Sequence, residues 1–287
     1  MDKSLFASAS DNGLLINLAP VGIVPNKTLT PHVPVTHNET VETVASCLER
    51  GVQMVHLHCR DKDEVSSSDP ELFGRVIESI RALPGGRELI VCVTTSGRLD
   101  PGFEARSRVL DLTGDMKPDM ASLTLSSLNF MKNASVNEPD VIRKLAGRML
   151  ERGIKPELEI FDLGMANFAN VLVKEGLIKP PFYSNLLLGN ISGAQTSMQH
   201  AGCLLSSVPE DWVVSVGGIG HSQITANMLG IMYADGVRVG LEDSIYFDRA
   251  RKRLATNLDL VNRVIDLAES FERPLVPPLE ARDMVLG

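Results

Sequence analysis

Thr36-His37-Asn38-Glu39 opens a segment in which Val41, Val44, Ala45 and Leu48 fall on one helical face. Beyond Gly51 the chain then runs Met54-Val55-His56-Leu57-His58-Cys59. The first stretch reads as a capping box followed by an amphipathic helix. The second is a short, nearly continuous run of apolar and β-favouring residues, as expected of a strand covered on both faces. Further runs of this kind are Leu14 to Ala19, Leu89 to Thr94, Met120 to Leu125, Glu157 to Phe161, Tyr183 to Leu188, Trp212 to Val216 and Gly236 to Leu241. Segments with helical periodicity separate them, and this alternation predicts parallel βαβ units. The last helix is clear, because Thr256 to Asp259 can cap a segment whose Leu260, Val261, Val264, Ile265, Leu267 and Ala268 cluster on one face. Eight strand and helix pairs in one series predict an α/β fold, the (β/α)8 TIM barrel. No linker rich in Pro or Ser divides the series. Residues 1–287 therefore read as one domain, with a short N-terminal extension and a C-terminal tail around Pro274 to Pro278.

The 287 residues, 44% of them hydrophobic and 22% charged, suit that fold, whose typical length is about 250 residues. A net charge of -8, with Lys and Arg scattered, leaves no basic stripe for phosphate backbones and argues against nucleic-acid binding. No apolar run approaches the ~20 residues of a spanning helix, and Met1 to Asn12 is polar and Ser-rich, unlike a signal peptide. No membrane role and a cytoplasmic address are expected. Cys47, Cys59, Cys92 and Cys203 lie far apart without a CxxC pair, which fits reduced, buried thiols.

In a TIM barrel the chemistry sits at the C-terminal ends of the strands. The second strand carries His56 and His58 there, two residues apart and so on one face. Two such imidazoles can chelate a divalent ion, and zinc suits them, or they can be a hydrogen-bonded core pair. The eighth strand ends Arg238-Val239-Gly240-Leu241-Glu242-Asp243. Strands of equal parity share interior layers, so Glu242 can join His56 and His58 at one ion. An inward Arg238 needs a carboxylate, for which Asp243, Glu159 or a substrate are candidates. Glu157 and Glu159 share one face of the fifth strand. Glu159 is a site candidate near the mouth, or else it pairs with a core cation while Glu157 lies at the solvated bottom. Thr94, at the end of the third strand, and Ser122, in the fourth, could orient a carboxylate or serve as caps. After the seventh strand, Gly217-Gly218-Ile219-Gly220-His221 is either a phosphate-binding turn or a tight turn without a ligand. His32, His37 and His200 are unassigned.

Taken in order, these motifs resemble the β-keto acid cleavage enzyme family, whose founding activity is 3-keto-5-aminohexanoate cleavage. The resemblance runs from Leu18-Ala19-Pro20-Val21-Gly22 through Pro34-Val35-Thr36, His56-Leu57-His58-Cys59-Arg60-Asp61, Met120-Ala121-Ser122-Leu123, Pro156-Glu157-Leu158-Glu159, Gly218-Ile219-Gly220 and Arg238 to Asp243, ending at Arg273-Pro274-Leu275. It implies a zinc enzyme, usually a homotetramer, that converts a β-keto acid and acetyl-CoA into acetoacetate and a new acyl-CoA. The implied metal ligands are His56, His58 and Glu242. Asp243 supported by Arg238 would be the catalytic pair, Glu159, Thr94 and Ser122 would surround the substrate, and Gly218 and Gly220 would meet the CoA phosphate. The sequence departs from the family pattern in Thr94-Thr95-Ser96-Gly97, where Ser-Thr-Gly-Gly is usual, and in Ser122, where the founding activity uses Thr. Val24 stands in the loop after the first strand, where the amine-recognising branch has an acid. This predicts that an aminated keto acid is not the preferred substrate.

Two other readings compete. An amidohydrolase-type hydrolase also uses an HxH motif and a late acid, but its HxH belongs to the first strand, and strands four to six here offer no histidine. A non-catalytic barrel that binds a small molecule is the second, and retention of His56, His58, Glu242, Asp243, Arg238 and Glu159 argues against it.

Overall fold

The computed structural model describes residues 13–287; the proposed N-terminal extension lies outside the described residues. Eight parallel strands close into a barrel: β1 (Leu15–Leu18), β2 (Met54–Leu57), β3 (Ile90–Val93), β4 (Met120–Thr124), β5 (Lys155–Ile160), β6 (Tyr183–Leu188), β7 (Val213–Gly218) and β8 (Gly236–Val239). Each pairs with its sequence neighbours, and β1 completes the ring by pairing with both β2 and β8. The helices α1 (His37–Leu48), α2 (Pro70–Arg81), α3 (Phe103–Ser107), α4 (Pro139–Arg152), α5 (Leu163–Lys174), α6 (Met198–Leu205), α7 (Gln223–Tyr233) and α8 (Asn257–Ser270) alternate with the strands. Both expected capping boxes form, at Thr36 with Glu39 and at Thr256 with Asp259. Among the described residues no helix is long and apolar enough to cross a membrane.

The two-residue alternation of the strands sorts their side chains into two cores. Ile16, Leu18, Val55, Leu57, Val91 and Val93 face outward and pack with the helices. Leu15, Met54, Ile90, Cys92, Met120 and Tyr183 form a separate cluster inside the barrel, with Val276, Ala281 and Val285. Ala281 and Val285 belong to α9 (Pro278–Leu286), a helix that the sequence reading took only as a tail. Its Pro278 fits the first helical turn, where a missing N–H is harmless. All four cysteines are free, but Cys203, on α6, is exposed rather than buried.

Candidate active site

The middle of the barrel interior is polar and turns on Glu157, which is fully buried. One carboxylate oxygen accepts from Asn17 Nδ2 and Asn185 Nδ2, both at 2.7 Å. The other lies 2.6 Å from His56 Nδ1 and 3.2 Å from Cys92 Sγ. Glu157 is therefore not at a solvated bottom: its place in β5 brings it across the interior from β2. Burial alone would raise its pKa, yet the His56 charge and hydrogen bond hold it down at about 2. Burial likewise opposes charge on His56, but Glu157 outweighs it and raises the imidazole to about 9.

With Nδ1 donating to Glu157, the remaining nitrogen of His56 points to the barrel mouth. His56 Nε2 and His58 Nε2 converge at 3.3 Å. Glu242 comes up to the same point, its oxygens 3.4 Å from His58 Nε2 and 3.9 Å from His56 Nε2. β8 has ended at Val239, so Glu242 and Asp243 lie in the following turn and both can face inward. Gly22 makes room for this: its φ of 69° favours glycine, and a Cβ there would lie 2.6 Å from Glu242 Cγ. Glu242 Oε2 is buried and accepts no hydrogen bond among the described residues. Two imidazole nitrogens, which become donors once His56 gives up its second proton, and an orphaned carboxylate oxygen all lie within 4.8 Å of one another and fit a divalent cation such as zinc. His56, Cys92 and Glu157 are equally close together, but the donors on Glu157 make it an orienting partner of His56, as expected behind a metal ligand.

Arg238, 2% exposed, links this point to the rest of the mouth. It reaches Glu242 at 2.8 Å, Asp243 at 3.1 Å and Glu159 at 3.4 Å. Burial would lower its pKa, but these carboxylates raise it instead. Glu159 Oε2 also accepts from Thr124 Oγ1 at 2.6 Å. Burial, followed by the repulsion of Glu242, raises Asp243 to about 6 against the pull of Arg238. One carboxylate of the adjacent pair thus faces the imidazoles, and the other has its pKa raised to about 6.

A cavity opens beside His58, and Thr94, Thr95, Ser96 and Arg106 line it. Ser122 Oγ accepts from Thr95 N–H at 3.2 Å, and Thr95 Oγ1 donates to Ser122 O at 2.6 Å. The Ser122 hydroxyl therefore holds the loop after β3. Thr94 Oγ1 accepts the Ser96 N–H, so it too has a local role at the cavity wall.

Val24 and the glycine turn each have a local setting of their own. Val24 is 56% exposed, and Ile23 is the member of its loop that lines the cavity. The Arg60 guanidinium causes this by gathering the carbonyls of Gly22, Ile23 and Pro25, which fixes the path of the loop. The glycine turn also differs from a free anion cradle. Gly218 packs on α7, where a Cβ would lie 2.7 Å from that of Ala226, and Gly220 donates its N–H to Asp243 O at 2.7 Å. The turn buttresses Asp243, and the nearby cleft takes its positive charge from Arg249, Arg251 and Arg263.

The family model described as beta-keto acid cleavage enzyme matches residues 13–286. The chain belongs to this family. A relative from Cupriavidus necator, "3-oxoadipate:acetyl-CoA acetyltransferase", is 34% identical over 274 residues, covering 94% of each chain. The "3-keto-5-aminohexanoate cleavage enzyme" of Acetoanaerobium sticklandii is 31% identical, covering 95% of this chain and 97% of that one. Among solved structures, the apo structure of ObcA superposes with a TM-score of 0.73 at 18% identity. It covers 88% of this chain, which spans 65% of that one, and at this identity the likeness shows the fold. The chain is accordingly an enzyme of the β-keto acid cleavage class.

Proposed function

We propose that this enzyme binds one zinc ion through His56, His58 and Glu242 and exchanges the acyl group of a β-keto acid with that of acetyl-CoA. The reaction is R–CO–CH2–CO2⁻ + CH3–CO–SCoA → CH3–CO–CH2–CO2⁻ + R–CO–SCoA. The observation that carries this reading is the convergence of two Nε2 atoms and an unbonded Glu242 oxygen beside an ionisable Asp243. When bound, zinc supplies Lewis-acid polarisation of the keto oxygen and a counter-charge for enolate. Asp243 takes the proton as base, positioned by Arg238 Nε. Glu159, fixed by Arg238 and Thr124, borders the substrate, with Thr94 on the far wall and Ser122 holding the Thr95 backbone.

The CoA phosphates fit the cleft beside Gly220 and His221, where Arg249 and Arg251 supply charge. In the loop after β1, Ile23 lines the cavity and offers no carboxylate for a substrate ammonium, which favours an acyl group R without one. A homotetramer in the cytoplasm completes this reading. The test is incubation of purified protein with acetyl-CoA and a panel of β-keto acids, followed by acetoacetate assay. Acetoacetate should form with neutral or anionic R groups and poorly with 5-amino-3-ketohexanoate. No acetoacetate from any of them, or a preference for the aminated acid, would count against the reading.

A further inference from the structure

Arg106, on α3, is 3% exposed yet has no ion-pair partner among the described residues, unlike Arg238 with its three carboxylates. Its Nε donates to Thr95 O at 2.7 Å, while Nη1 and Nη2 are buried and make no hydrogen bond among the described residues. The same residue lines the cavity that contains His58, Thr94 and Ser96. Burial lowers its pKa to about 10, which leaves it cationic at neutral pH. A buried cation with its two terminal amino groups free is costly unless an anion joins it, and this fork matches a carboxylate.

We propose that Arg106 anchors the C1 carboxylate of the β-keto acid. The inference rests on the functional reading above, in which substrate and acetoacetate share the CH2–CO2⁻ unit, so one fixed cation serves the reaction in both directions. The carboxylate meets Nη1 and Nη2 in the cavity, and Nε holds the guanidinium against the loop after β3. Gly97 leaves room for the fork, because a Cβ there would lie 2.9 Å from both Nη1 and Val136 O. The Thr95 backbone joins the anchor to Ser122, and so to the barrel wall.

The experiment is calorimetric titration of the full chain with acetoacetate and, separately, with its neutral methyl ester. In Arg106→Gln the Kd for acetoacetate should rise about 100-fold, while that for the ester changes by less than about threefold. Gly97→Ala should weaken acetoacetate selectively as well, and it carries the comparison if Arg106→Gln does not fold. Equal weakening of both ligands would assign Arg106 a structural role and overturn the inference. Acetoacetate binding that neither variant weakens would also overturn it, while leaving the functional reading intact. A wild-type protein that binds no acetoacetate would overturn both.

Discussion

The lower and upper halves of the barrel interior arise from the same alternation in the same strands, yet different forces hold them. Below lie Leu15, Met54, Ile90 and Met120, packed with Val276, Ala281 and Val285. Above lie His56, His58, Glu159, Arg238, Glu242 and Asp243, joined by ion pairs of 2.8 to 3.9 Å. The apolar half stabilises the fold by burial alone. The polar half must offset the desolvation of at least five titratable groups, and well-packed apolar residues would serve stability as well or better. Its retention next to an orphaned carboxylate oxygen is explained by chemistry, so a substitution above should remove function and one below should remove stability.

The largest expected effect is His58→Ala, which should reduce kcat/KM for acyl exchange by about a thousandfold, since the metal's contribution amounts to several kcal/mol. Its thermal midpoint should stay near wild type; a large fall would show that the upper half is structural as well. Met54→Ala should do the reverse. It should destabilise the chain by about 2–5 kcal/mol in urea titrations while leaving metal content per folded chain unchanged.

Glu157→Gln tests the border between the halves. The amide removes the acceptor that orients His56, and metal affinity should fall about 10- to 100-fold with the fold retained. A separate effect follows from pH. In the metal-free protein His56 holds a second proton up to about pH 9, because Glu157 raises its pKa, whereas burial lowers that of His58. Metal must displace the His56 proton, so affinity should rise about tenfold per unit as pH increases toward 9 and level off above it. Chelator competition between pH 6.5 and pH 9.5 measures this slope, and a flat profile would mean that His56 is not a ligand.

The two halves were also unequally legible in the sequence. All eight barrel strands stand out as apolar or alternating runs, since the side chains facing the helices are mostly apolar whatever fills the interior. The ends were less clear: β8 stops at Val239, before the Glu242 turn, and β7 continues to Gly218. Two short hairpins, Cys59–Arg60 with Ser66–Ser67 and Leu128–Asn129 with Ala134–Ser135, carry no periodic signal because each strand has only two residues. In the site, His56, His58, Glu242, Asp243 and Arg238 were visible because they cluster at two strand ends. Glu157 was visible as an inward residue, but its depth depends on strand stagger, which the sequence does not encode locally. Arg106 had no signal at all, since its unpaired state is a property of what surrounds it in space.

The most direct test of the central claim is metal content by elemental analysis of purified wild type, His58→Ala and Met54→Ala prepared side by side. Wild type and Met54→Ala should each carry about one zinc ion per chain, and a folded His58→Ala close to none. Equal metal content in wild type and His58→Ala, or no metal in wild type after exposure to zinc, would contradict it.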